Sequence, residues 1–320
     1  MKTIFKIATV ALAAAAAMSS HADSNYPVAG KTITIIVPFT AGGPTDKVAR
    51  DLAESMRKQL GNATIVIDNA DGAGSTIGIG KAARAKNDGY TLLLTHIAMS
   101  TIPTLYRKLP FNVLNDFEYA GIINDVPMTL IGRPTLPAKN FAEVKDWVSK
   151  NQGKVNLANA GVGSASHLCG LMFQSALQQD MTPVPYKGAA PAIADLMGNQ
   201  VDLLCDQTTN TTAQIEGKKV KAYGVTTPKR LTTPALKDLP TLDESGLKNF
   251  QVTVWHGLYA PKGTPAAVTK KINEAMRLAM KEPEFIKKEE QLGAVIASDA
   301  RTSPEGHKKF VQSEIETWGK

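Results

Sequence analysis

The sequence predicts an α/β protein built as two lobes with a cleft between them. Three observations carry that expectation: strand-type apolar runs alternate with amphipathic helical segments, two Pro-rich extended stretches interrupt the alternation, and a glycine-rich strand-to-helix turn stands on either side of the first interruption. At 320 residues and 43% hydrophobic content, the chain can bury one large core or two ordinary ones.

Residues 31–39, KTITIIVPF, form a β-branched strand run, after which Val48, Leu52, Met56 and Leu60 recur at every fourth position as one helix face. ATIVIDN supplies a second strand, GSTIGIGKAARAK a small-residue helix and YTLLLT a third strand. Such alternation implies a parallel sheet covered on both faces. The pattern resumes with helix NFAEVKDWVSK, strand KVNLANA, helices SASHLCGLMFQSALQQ and APAIADLMGNQ, and strands VDLLCDQ and VKAYGVTT. Between the blocks, EYAGIINDVPMTLIGRPTLP carries Pro127, Pro134 and Pro137 without a helical period and reads as an extended crossover. TTPKRLTTPALKDLPTLDESG leads into a second extended run, FQVTVWHGLYAP, and then helices within PAAVTKKINEAMRLAM and SPEGHKKFVQSEIETW. Two crossovers make the first lobe discontinuous: residues 23–125 and 249–320 are expected in one lobe and 126–248 in the other.

The chain opens MKTIFKIATVALAAAAAMSSHAD. Lys2 and Lys6 precede an apolar run from Ile7 to Met18, followed by Ser20 and Ala22 at the spacing a signal peptidase prefers. Residues 1–22 are therefore expected to be a cleaved signal peptide and the mature protein a monomer in the periplasm. The run is well short of the roughly 20 residues that cross a bilayer, and no cysteine follows the cut to take a lipid. Removing two lysines with the leader leaves five net positive charges, scattered or interleaved with acids as in FIKKEE. That patterning describes a solvated helix face and excludes a nucleic-acid groove.

The two glycine turns define the candidate site. A strand-to-helix turn exposes main-chain amides, because the first N–H groups of a helix lack internal acceptors and the helix dipole makes that end partly positive. In VPFTAGGPTDKVAR, Gly42 and Gly43 let an anion approach, Pro44 suits an early helical position, and Thr45 or Asp46 is a candidate cap. In NAGVGSASHLCG, Gly161 and Gly163 precede a helix starting near Ser164, Ala165 and Ser166. Ligands of α/β sheets bind beyond the carboxyl ends of the strands, so both turns belong on the cleft side. A third loop, DNADGAGSTIG, reads as a structural turn or cleft wall.

Nucleotide and metal chemistry are not indicated. No stretch matches GxxxxGK[ST], and GAGSTIG breaks GxGxxG at Ile77. His96, His256 and His307 are isolated in sequence, without metal spacing, and no cofactor is expected. His167 with Ser164 or Ser166 and Asp206 offers the residue types of a secreted serine hydrolase, but the GxSxG elbow is missing.

Taken in order, ITIIVPFTAGGPTDKVAR, DNADGAGSTIG, DGYTLLL, GVGSASHLCG, VPYKGAAPAIADLMGNQVDLLCDQTTN and LYAPKGTP resemble the Bug family, periplasmic solute receptors related to tripartite tricarboxylate transporters. The resemblance runs over essentially the whole mature chain. It implies a type II periplasmic-binding-protein fold, a small carboxylate ligand, a membrane permease of the tripartite tricarboxylate type as partner, and no enzymatic activity. It implies that Phe39, Thr40, Ala41, Gly42 and Gly43, with Asp46 beyond them, face Gly161, Gly163, Ser164, Ala165, Ser166 and His167 across one carboxylate. Asp206 would then hold an ammonium group, as in amino-acid-binding members, making aspartate or glutamate a plausible ligand; capping the helix in TTNTTAQIEG is its alternative role. Lys187, in the YKG triplet, would complement a distal carboxylate, with a solvated lysine as the alternative.

Cys169 and Cys205 are the only cysteines. In an oxidising compartment they are expected to form a disulfide, with two buried thiols as the alternative.

Overall fold

The computed structural model describes residues 25–320, so the leader read in residues 1–22 lies outside the described residues. Strands β1 (Ile33–Val37), β2 (Ile65–Asn69) and β3 (Thr91–His96) are parallel in the order β2-β1-β3. They are linked by helices α1 (Pro44–Gln59) and α2 (Thr76–Ala83), and α3 (Ala98–Leu105) follows β3. The four-residue spacing of α1 is a core stripe: Val48, Leu52 and Met56 are fully buried beside Ile33, Ile35 and Val37.

β4 (Phe117–Gly132) is the expected crossover, and it runs through both lobes as one strand. Residues Phe117 to Pro127 pair with β9 (Thr253–Pro261), which itself lies antiparallel to β3. From Met128 onward β4 instead pairs antiparallel with β7 (Leu203–Gln207), and from Thr129 with β8 (Lys221–Val225) on its other side. Strands β5 (Asn156–Asn159) and β6 (Thr182–Pro185) complete the second lobe as parallel partners, in the order β7-β5-β6. The expected parallel sheet is thus corrected to a mixed one. β3 and β9 are neighbours from opposite ends of the sequence, and apolar periodicity within a segment carries no information on strand direction.

Helices α4 (Phe141–Lys150), α5 (Ala165–Leu177), α6 (Ala189–Met197) and α7 (Thr208–Glu216) belong to the second block of alternation. Helices α8 (Ala266–Ala279), α9 (Pro283–Gln291) and α10 (Pro304–Trp318) close the chain, with β10 (Val295–Ile296) added to β4. A small cluster of its own, including Ile131, Ala192, Ile193 and Leu204, seats α6 on the second lobe's sheet. Cys169 on α5 and Cys205 on β7 are disulfide-bonded with Cα atoms 6.0 Å apart, as expected from sequence. The bond fastens the helix after the second glycine turn to the strand that carries Asp206.

Candidate functional site

The carboxyl ends of β1, β3, β5 and β7 meet at one narrow cavity. From the first lobe it is bounded by Phe39, Pro44, Thr45 and His96, and from the second by Ala160, Ala165, Ser166, Ala189, Asp206 and Gln207. Pro44 and Thr45 open α1, Ala165 and Ser166 open α5, Ala189 opens α6, and Gln207 is the N-cap of α7. Four helix N-termini therefore converge on the cavity, while no lysine or arginine lines it. Any attraction the cavity has for an anion is therefore a main-chain property of these helix starts. The cavity is narrow: the space open to the centre of a water molecule is about 10 Å³, room for a single water. A small organic acid does not fit the cavity as it stands.

The glycines' own amides are spent within their loops, and the free ones lie at the helix starts beyond them. Gly42 N–H donates to Asp46 Oδ2 at 2.9 Å, Gly161 N–H to Asn159 Oδ1 at 2.9 Å and Gly163 N–H to His167 Nδ1 at 3.3 Å. Ala41 and Gly42 are exposed. By contrast, the amides of Thr45, Asp46, Ala165 and Ser166 have no protein acceptor among the described residues. Two of the four turn glycines, Gly161 and Gly163, serve close approach. Gly163 has φ +87°, and a Cβ there would lie 2.7 Å from Ile102; one on Gly161 would lie 2.9 Å from Gly74 Cα. Gly74 belongs to DNADGAGSTIG, so that loop is a cleft wall: Tyr106 Oη bridges Ala73 O at 2.8 Å and Val162 O at 3.0 Å. Thr101 adds a bond to Gly163 O at 2.5 Å.

The N-cap of α1 is Gly43, with no side-chain cap, so neither Thr45 nor Asp46 caps it. Asp46 instead turns back on its own loop and also accepts from Arg50 Nε at 2.9 Å and Asn69 Nδ2 at 3.0 Å. These donors hold its carboxyl below the usual range against the opposing effect of burial. Thr40 packs against Gly188, ahead of α6. Lys187 is exposed and does not border the cavity.

Ser164 Oγ caps α5 by accepting from His167 N–H at 3.2 Å, and Ser166 Oγ accepts from Ala160 N–H at 2.7 Å. The His167 ring borders a separate surface hollow with Leu171 and Gln174. No serine hydroxyl or Asp206 oxygen is hydrogen-bonded to its imidazole among the described residues, so the hydrolase residues do not form a triad.

Asp206 is buried at the end of β7, and the cap of α7 is Gln207, which removes the helix-capping role for Asp206. Its Oδ2 accepts from Asn210 Nδ2 at 2.6 Å. Desolvation outweighs that bond and pushes its pKa up to about 6. The folded value exceeds the unfolded one, so the ionised form is the costly one and stability falls as pH rises from about 3.8 to about 6. Beside it, Gln207 Oε1 is buried without a hydrogen-bond partner among the described residues. The pair presents acceptors awaiting a donor.

The histidines read as isolated are not all so. His96 and His256 face each other across β3 and β9, with ring centroids 5.9 Å apart. His256 Nδ1 donates to Asn124 Oδ1 at 2.8 Å, Asn124 Nδ2 donates to Glu289 Oε2 at 2.7 Å, and Thr45 Oγ1 lies 3.4 Å from His256 Nε2. This buried chain steadies Thr45 at the start of α1. His96 and Gln207 border the cavity without having been singled out by sequence as site residues, since neither falls in a glycine turn. Their one signal is position at a strand's carboxyl end.

Residues 48–320 match the model of the tripartite tricarboxylate transporter family receptor. The chain belongs to that family. Within it, the chain is 45% identical over 302 residues to the UPF0065 protein in the TAR-I ttuE-ttuC' intergenic region of Agrobacterium vitis, covering 94% of this chain and 86% of the relative. Its fold is similar to that of the periplasmic binding protein BugD, with a TM-score of 0.88 and 49% identity over 92% of this chain and 96% of BugD. It is also similar to MatC from Rhodopseudomonas palustris, solved with bound malate, with a TM-score of 0.87 and 36% identity over 92% of this chain and 99% of MatC. A tripartite tricarboxylate transporter receptor is a solute-binding protein with two α/β lobes, the architecture expected from the alternating segments.

Proposed function

We propose that this receptor works outside the cytoplasm, capturing a compact carboxylate and delivering it to a membrane permease of the tripartite tricarboxylate type. The observation that carries this reading is the meeting of four helix N-termini, drawn from both lobes, at a cavity free of basic side chains. Four or five charge-assisted bonds reach the roughly −8 kcal/mol of a micromolar ligand, after association costs of at least about 4 kcal/mol, when each contributes about 3 kcal/mol, the upper end of the usual range of about 1.5–3 kcal/mol. In this reading the hinge lies where β4 changes partners after Pro127 and where the chain re-enters β9 at Thr253. Contacts made only on closure, such as those across Gly161 and Gly74, let the ligand shift the open-to-closed balance.

Asp206 and Gln207 Oε1 favour a ligand with an ammonium group, hence an amino acid of the aspartate or glutamate kind. Malate in MatC supports the broader class of small carboxylates. Calorimetric titration with L-aspartate, L-glutamate, L-malate and succinate tests both levels of the claim. One compound at least should bind and be recovered unchanged. L-Aspartate affinity should be level above about pH 6 and fall below it, because protonated Asp206 no longer attracts the ammonium group. Succinate, repelled by ionised Asp206, should gain affinity over the same descent. An aspartate affinity that is flat from pH 7 to pH 5 contradicts the ammonium assignment, and binding of none of the four contradicts the receptor reading.

A further inference from the structure

We propose that His96 is a specificity-determining residue, donating through Nε2–H to a second carboxylate that the ligand carries away from the helix amides. The inference rests on the carboxylate reading above and names the distal half of the same site.

His96 ends β3, is 2% exposed, and borders the cavity from the first lobe while Asp206 borders it from the second. Its ring is locked. Nδ1 accepts the Ala98 N–H at 3.1 Å, which satisfies an otherwise open amide at the start of α3. The Phe39 ring packs on it at 4.5 Å between centroids, and His256 packs edge-on from the neighbouring strand. Burial keeps the imidazole neutral, lowering its pKa to about 3. A neutral ring whose Nδ1 is an acceptor carries its proton on Nε2. Nε2–H therefore stands as a donor, and no protein acceptor meets it among the described residues.

An N–H that meets no protein acceptor at the wall of a narrow cavity selects for ligands that bring one. Among the first-lobe side chains at the cavity, Phe39, Pro44, Thr45 and His96, only His96 offers an N–H. Thr45 Oγ1 is already directed at His256. Lys187, which the sequence suggested for a distal carboxylate, is exposed and absent from the cavity wall. Acceptors at Asp206 and Gln207 on one side and a donor at His96 on the other distinguish a short dicarboxylic amino acid from its monocarboxylic analogue.

The test is calorimetric titration of the wild type, His96→Leu and His96→Gln with L-aspartate and succinate, which carry two carboxylates, and L-alanine and butyrate, which carry one. Wild-type protein should prefer L-aspartate over L-alanine. His96→Leu should shrink that preference by about 10- to 100-fold, the worth of one hydrogen bond to a charged group. His96→Gln, which keeps an N–H near the same point, should restore part of it. ¹⁵N-histidine spectra of the wild type read the same claim without a variant: the Nε2–H signal of His96 should move on adding L-aspartate and not on adding L-alanine. An undiminished preference in His96→Leu, or a stationary Nε2–H signal at saturating L-aspartate, overturns the assignment and leaves the carboxylate reading standing. A wild type that binds none of the four overturns both.

Discussion

Gly188→Ala is expected to weaken binding of small carboxylates by about 10- to 100-fold while leaving the lobes folded. A Cβ at this position would lie 2.1 Å from Thr40 Oγ1, 2.8 Å from Thr40 N and 3.0 Å from Thr40 Cβ. Rotating the threonine side chain relieves the first contact only. The second is to main chain, so the two loops themselves must separate. Gly188 has φ near 180°, an extended conformation open to any residue, and alanine therefore adds no backbone strain. Overpacking of this kind costs about 1–3 kcal/mol. On the proposed reading it falls on the closed arrangement alone, because Thr40 and Gly188 lie in different lobes that part when the cleft opens. The penalty is drawn from ligand affinity, following the rule that a ligand gains only what its preferred state allows. Calorimetry against the best-binding acid should show the loss, and circular dichroism should show native secondary structure. Unchanged affinity would mean that closure does not bring these loops together. Gly163→Ala is a poorer probe, since its φ of +87° and its contact with Ile102 mix strain with collision.

The second large effect concerns stability. Joint replacement of Cys169 and Cys205 by alanine is expected to lower the melting temperature by roughly 10 °C. The bond closes a separation of 36 residues, for which the chain-entropy model gives between about 3 and 4.7 kcal/mol. Each kcal/mol moves the midpoint of a protein this large by roughly 2–4 °C. Both cysteines are about 1% exposed in the core. Because the bond ties α5 to β7, affinity should fall modestly along with stability. A midpoint within 2 °C of the wild type, measured by scanning calorimetry, would show that packing alone holds the two segments.

Much of this architecture was legible in the sequence because it is local. The four-residue stripe on α1, the Pro44 helix start, the Gly163 turn and the helix after it depend on near neighbours and apolar period. The extended crossover was visible in the Pro-interrupted run that became β4. Strand direction was not, because β9 finds β3 and β4 across long stretches of chain. At the site, the sequence pointed to the helix-start amides beyond the glycine turns, and it could not show how the glycines' own amides are spent. Gly42, Gly161 and Gly163 spend their amides on Asp46, Asn159 and His167, leaving the free N–H groups at the helix starts beyond them. Local capping decides that, and it depends on side-chain directions that spacing does not encode. His96 was hidden for a related reason: its meaning comes from the Ala98 amide that fixes its tautomer and from a cavity wall assembled by distant segments.

The central claim is that helix starts from opposite lobes grip one carboxylate through main-chain amides. A crystal structure of the protein with its best-binding acid from the titration panel tests it most directly. The predicted result is a carboxylate with oxygens about 3 Å from the amide nitrogens at the start of α1, at Thr45 or Asp46, and at the start of α5, at Ala165 or Ser166. An acid seated elsewhere, or one held by a single lobe while the other helix start faces solvent, would contradict the account.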